Sequence, residues 1–75
     1  MKVSVQDIEA AAQRLKGVVL HTPLQYNAHL SEEYGAHIWL KREDLQVVRS
    51  YKLRGAYNYI SSCTPEQLAK GVVCA

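Results

Sequence analysis

The stretch "LKREDLQVVRSYKLRGAYN", Leu40 to Asn58, decides how this chain is expected to fold. Its first residues close an apolar run, "AHIWLK", Ala36 to Lys41. That run is rich in β-branched and aromatic side chains and reads as a strand. "REDLQVVR" follows as a polar-led connection. From Ser50 the pattern turns helical, with Leu53, Ala56, Tyr57 and Ile60 on one side. The stretch is therefore strand, connection, helix, with Ser50 as the expected N-cap and Lys52 as the second helical residue.

Towards the C-terminus, "TPEQ", Thr64 to Gln67, is a capping box with Pro65 at the favoured first helical position. That short helix is expected to end at Gly71, and "VVCA", Val72 to Ala75, begins a second apolar strand. Towards the N-terminus, Ser4 can cap a helix, with Asp7 three residues on. Val5, Ile8, Ala12 and Leu15 give it an apolar stripe, and Gly17 closes it. "HTPL", His21 to Leu24, reads as a turn, because Pro23 forbids regular helix through it. In "NAHLSEEYG", Asn27 is an N-cap and Gly35 a stop.

The expected order is α, α, β, α, α, β. Two apolar strands joined by helices make a βαβ unit, so the expected class is α/β, with helices around a parallel sheet. Such a sheet needs cover on both faces and neighbouring strands. Residues 1–75 are therefore expected to be the N-terminal piece of a larger catalytic domain. A complete small domain is the alternative, although a chain this short buries only about 60% of its unfolded surface.

Composition excludes several classes. A hydrophobic fraction of 48% suits a packed segment rather than a disordered one. Nine Lys and Arg against seven Asp and Glu leave a net charge of +2, too little to argue for nucleic acid or an acidic membrane. No apolar run approaches the roughly 20 residues of a membrane span. "MKVSVQDIEAAAQRL" carries Asp7 and Glu9 and no apolar core, so it does not read as a secretory or transit signal. Cys63 and Cys74 share no metal-ligand spacing, and a cytoplasmic location is expected.

Lys52 is the residue that asks for an explanation. Helix N-termini carry about half a positive charge, which disfavours an ammonium there, and burial disfavours it further. A neutral amine is what a Schiff base with an aldehyde requires. The unpaired N–H groups of the first turn can face a phosphate. Pyridoxal 5'-phosphate is an aldehyde bearing a phosphate and suits both features. On the residues alone this stands beside the plainer reading, a solvated lysine.

The same stretch resembles the lysine motif of the fold-type II pyridoxal-phosphate enzymes, in the branch of the biosynthetic threonine dehydratases (threonine ammonia-lyases). The family pattern is Lys-Arg-Glu-Asp-Leu-Gln, a short loop, then Ser-Phe-Lys-Leu-Arg-Gly-Ala. Lys41 to Gln46, Ser50 and Lys52 to Ala56 match it. "HTPLQ" and "VSVQDIEAA" resemble the family's Thr-Pro-Leu segment and opening helix, so the likeness covers essentially the whole chain. Tyr51 departs from the pattern, which usually has Phe there. Val47, Val48 and Arg49, where cysteine and threonine synthases carry a Pro-Thr-Gly type loop, favour the dehydratase branch. Serine racemases and serine dehydratases remain close alternatives.

The resemblance implies that Lys52 binds pyridoxal 5'-phosphate covalently and moves the substrate's α-proton, making it the catalytic residue. Tyr51 would pack on the cofactor ring as the second cofactor-binding residue. No metal is implied. The substrate would be L-threonine, with L-serine secondary, and the products 2-oxobutanoate and ammonia, the first step of isoleucine biosynthesis. The full-length protein would be a homotetramer. The family's phosphate-binding and carboxylate-binding loops would lie beyond residue 75, so the piece alone would be inactive.

The neighbouring residues have plainer readings. Arg42, Glu43 and Asp44 are expected to hold the loop by ion pairs and turn hydrogen bonds. Arg54 is expected to be structural, Trp39 packed in the sheet, and Tyr57 and Tyr59 divided between core and surface. His21, His29 and His37 are scattered. From another class, "KRED" and "RSYKLRG" could serve a small basic nucleic-acid-binding module. Against it, Glu43 and Asp44 interrupt the basic residues.

Overall fold

The computed structural model describes residues 1–74. Helix α1, Val5–Leu15, starts on a complete capping box: Ser4 Oγ accepts from the Asp7 N–H, and the Asp7 carboxylate accepts from the Ser4 N–H. Lys16 caps its far end, and Gly17 follows at a φ of 81°. Strand β1, Leu24–Tyr26, leads through the Asn27 cap into helix α2, Ala28–Tyr34. Gly35 ends α2 in the left-handed region, at a φ of 60°, which a side chain would resist. Strand β2, Trp39–Lys41, a 3-10 turn at Glu43–Leu45, helix α3, Lys52–Ser61, and helix α4, Pro65–Ala69, complete the order. The Thr64–Gln67 capping box on α4 forms as expected, with Lys70 capping the helix just before Gly71.

The sheet among the described residues is a different one from the expected parallel βαβ unit, which does not appear there. β1 and β2 pair antiparallel, with Leu24 opposite Lys41, Gln25 opposite Leu40 and Tyr26 opposite Trp39. Bonds from Asn27 N–H to Ile38 C=O (2.9 Å) and Arg42 N–H to Pro23 C=O (3.0 Å) extend the ladder at both ends. The cause is the connection. The seven residues of α2 carry the chain about 10 Å away, and the left-handed turn at Gly35 sends it back. Pro23 hid β1 from the sequence reading. It stands just outside the strand, where its missing N–H costs nothing.

The second expected strand is also absent among the described residues. Val72 to Cys74 form no regular structure, and Val73 is fully exposed. Ala75 lies outside the described residues. The first expected strand is shorter than its apolar run, since Ala36 to Ile38 precede β2. Trp39 does lie in the sheet, edge-on to Tyr26 at 5.2 Å, but it is exposed, as are Tyr57 and Tyr59.

Helix α1 packs against α3, and Arg14 donates to the Asn58 side chain at 3.0 Å. Leu15 is the one buried apolar residue among those described, while Val5 and Ile8 of the same stripe stay open. The radius of gyration is 16.3 Å. A compact domain of this length would have about 11 Å. The elements are formed, but the apolar faces they present are largely uncovered. No helix among the described residues is long and apolar enough to cross a membrane.

Candidate cofactor site

The centre of the motif is held by polar bonds rather than by a hydrophobic core. Gln46 has no exposed surface and Thr22 is 2% exposed. Gln46 Oε1 accepts from the Leu20 N–H at 2.9 Å, and Gln46 Nε2 donates to the Leu20 carbonyl at 2.8 Å. The same Nε2 donates to Glu43 Oε2 at 2.9 Å, as does the Thr22 hydroxyl. The other oxygen of Glu43, Oε1, takes the Arg54 Nε. One carboxylate thus ties the segment before β1, the turn after β2 and the first turn of α3.

Glu43 is an anchor by its protonation as well. Its hydrogen bonds from Arg54, then Gln46, outweigh desolvation and hold its pKa down to about 2. Arg42 grips Asp44 with two bonds, at 2.8 and 2.7 Å, and reaches Gln25 with a third. The Arg42 bond lowers the Asp44 pKa from its usual value. These contacts are the loop-holding roles expected for Arg42, Glu43, Asp44 and Arg54. Lys41 is also committed, since its Nζ donates to the Thr22 carbonyl at 2.6 Å.

Lys52 is the first residue of α3 rather than the second. Tyr51 takes the N-cap position, in helical backbone and with no side-chain cap bond. Ser50 is not the cap. Its Oγ still accepts a long bond, 3.4 Å, from the Lys52 N–H. The shift arises because residues 47–50 already turn tightly. The Arg49 N–H bonds the Gln46 carbonyl at 2.8 Å, and Arg49 itself has a φ of 63°.

Lys52 and Tyr51 are adjacent and both exposed, Tyr51 at 68%. The burial expected around Lys52 is not supplied by residues 1–74. No hydrogen bond or ion pair engages Lys52 Nζ among the described residues. A cavity of about 410 Å³ behind the clamp is lined by Leu15, Leu20, Lys41 and Arg54, and neither Tyr51 nor Lys52 reaches it. Sequence reasoning gave Gln46 and Thr22 no role of their own. The available signal was local: Gln46 is a lone uncharged polar residue between Leu45 and Val47.

Comparison with known proteins places the chain in a family. Residues 15–75 match the model of the family described as pyridoxal-phosphate dependent enzymes. The chain is 58% identical over 74 residues to the biosynthetic L-threonine dehydratase IlvA of Halalkalibacterium halodurans, covering 99% of this chain and 18% of that protein. It is 58% identical over 73 residues to the IlvA of Bacillus subtilis, covering 97% of this chain and 17% of the relative. The match to the IlvA of Staphylococcus epidermidis is 55% identical over 74 residues, with 99% and 18% covered. The chain therefore spans less than a fifth of the length of these relatives. No solved structure matches it. Its lysine motif and the span of the family match lead to one assignment: the chain belongs to the pyridoxal-phosphate dependent enzymes.

Proposed function

We propose that Lys52 is the residue through which pyridoxal 5'-phosphate is bound, and that the complete protein deaminates L-threonine to 2-oxobutanoate and ammonia. The observation that carries this is the presentation of Lys52. It stands first on α3, its amine is unengaged, and a clamped loop delivers it. The activity for which the relatives are named, threonine dehydratase, suggests the substrate. L-Serine is the secondary substrate, and the reaction is the first step of isoleucine biosynthesis in the cytoplasm. Residues 1–75 act as the N-terminal part of the catalytic domain, in a homotetramer, and are inactive alone.

These residues fit the covalent part of that cofactor. Lys52 supplies an uncommitted primary amine, and Tyr51 an open aromatic ring beside it. When bound, the cofactor supplies an electron sink for the substrate's α-carbon. Lys52 would take the α-proton at Nζ, and Tyr51 would shield one face of the ring from water. The nucleic-acid alternative loses its two best contacts, because Arg42 and Arg54 are each paired with a carboxylate.

The test is borohydride reduction of the holoenzyme followed by peptide mapping. The reduced cofactor should appear on the peptide containing Lys52, and L-threonine should yield 2-oxobutanoate and ammonia in equal amounts. A label on Lys41 or Lys70 instead would overturn the assignment.

A further inference from the structure

We propose that Glu43 and Arg54 are a positioning pair for Lys52: their ion pair sets where the first turn of α3 begins, and so where the Lys52 amine stands. The inference rests on the proposed role of Lys52 and deepens it.

The argument is one of attachment. Between Gln46 and α3 the chain runs through Val47, Val48, Arg49, Ser50 and Tyr51. Val47, Val48 and Tyr51 are exposed, so little apolar packing fixes this loop among the described residues. Its near end is fixed by Gln46, fully buried and bonded to Leu20 and Glu43. Its far end is fixed by Arg54, two residues beyond Lys52, on the same Glu43 carboxylate. Both anchors of a nine-residue span, 46 to 54, therefore converge on one side chain. The rest of α3 is held separately, by packing on α1 and by the Arg14–Asn58 bond. Breaking the Glu43–Arg54 pair thus frees the turn that carries Lys52 while leaving α3 docked. Displacing a reacting group by about 1 Å costs on the order of 10²-fold in rate.

Arg42–Asp44 provides the internal control. It is an equally well-made ion pair on the same loop, but it reaches only Gln25 and has no link to α3.

The experiment follows capture of added pyridoxal 5'-phosphate by Lys52 in the full-length apoenzyme, read by the visible absorbance of the bound cofactor. It is run beside kcat and KM for L-threonine, at a temperature where every variant is folded. Glu43→Gln and Arg54→Met should each slow capture and lower kcat about 10- to 100-fold, with KM changed less than about threefold. The double variant should be no slower than the worse single one, because both remove the same contact. Arg54→Lys keeps the charge and should fall between wild type and Arg54→Met, which guards against a variant that fails to fold. Arg42→Met should capture and turn over like wild type. Capture rates in Glu43→Gln and Arg54→Met equal to those of Arg42→Met would overturn the proposal. Failure of the assigned role of Lys52 would look different, since wild type itself would then carry no reduced cofactor at Lys52.

Discussion

Gln46 and Leu20 exchange a reciprocal pair of hydrogen bonds, the Gln46 amide accepting from the Leu20 N–H and donating to the Leu20 carbonyl. The side chain does what a neighbouring strand would do, pairing both backbone groups of a residue that has no ladder partner. Gln46→Ala leaves these groups without their partner and removes a bond to Glu43. We expect a loss of about 2–4 kcal/mol in the unfolding free energy of the full-length protein, measured by denaturant titration. A change below about 0.5 kcal/mol would show that water replaces the amide freely.

Acid should weaken the clamp in a defined window. The Glu43 carboxyl falls from 4.5 to about 2 on folding, chiefly through the Arg54 bond. A depressed carboxylate contributes stability that is fully present above its unfolded value. The contribution is lost as pH falls from about 4.5 towards about 2. Asp7 and Asp44 are shifted in the same direction and add to the same slope. Denaturation midpoints followed from pH 6 downward should fall more steeply in wild type than in Glu43→Gln. Parallel curves would contradict the shift.

Lys52→Ala should remove turnover and keep the fold. The side chain is exposed and unengaged, so stability should change by less than about 0.5 kcal/mol. Activity should fall at least about 10²–10⁴-fold, the range for loss of a positioned proton-transfer group. Circular dichroism and a rate assay on the same sample separate the two effects.

Tyr51 is predicted to act through its ring and not its hydroxyl. Tyr51→Phe should bind the cofactor like wild type. Tyr51→Ala should weaken retention by about 1–3 kcal/mol, from lost aromatic burial, in equilibrium dialysis of the full-length protein. Equal retention by wild type and Tyr51→Ala would remove this residue from the site.

The local punctuation of this chain was legible, and its long-range pairing was not. Ser4 with Asp7, Asn27 with Gly35, and Thr64 with Gln67 each act within a few residues, and all stand where their spacing put them. Lys52 was legible for the same reason, to within one helical position. The sheet failed because strand pairing depends on partners far along the chain. Three residues at Leu24–Tyr26 carry too short a pattern to compete with the Pro23 turn signal. Val72 and Val73 show the opposite error, since an apolar run marks a wish for burial and not a strand. The buried clamp was half visible: the charges of Glu43 and Arg54 were assigned to structure, but nothing in periodicity reports a glutamine bonded to backbone 26 residues away.

Arg49 carries a consequence of its own. Its φ of 63° lies where side chains cost about 1–2 kcal/mol and where glycine and asparagine sit with little strain. The tight loop between Gln46 and Lys52 is therefore built around an arginine that its backbone does not favour. A library randomised at this codon and selected for growth should enrich glycine and asparagine and deplete valine, isoleucine and threonine. The handedness of a single backbone angle would then be recorded as a ratio of sequencing reads.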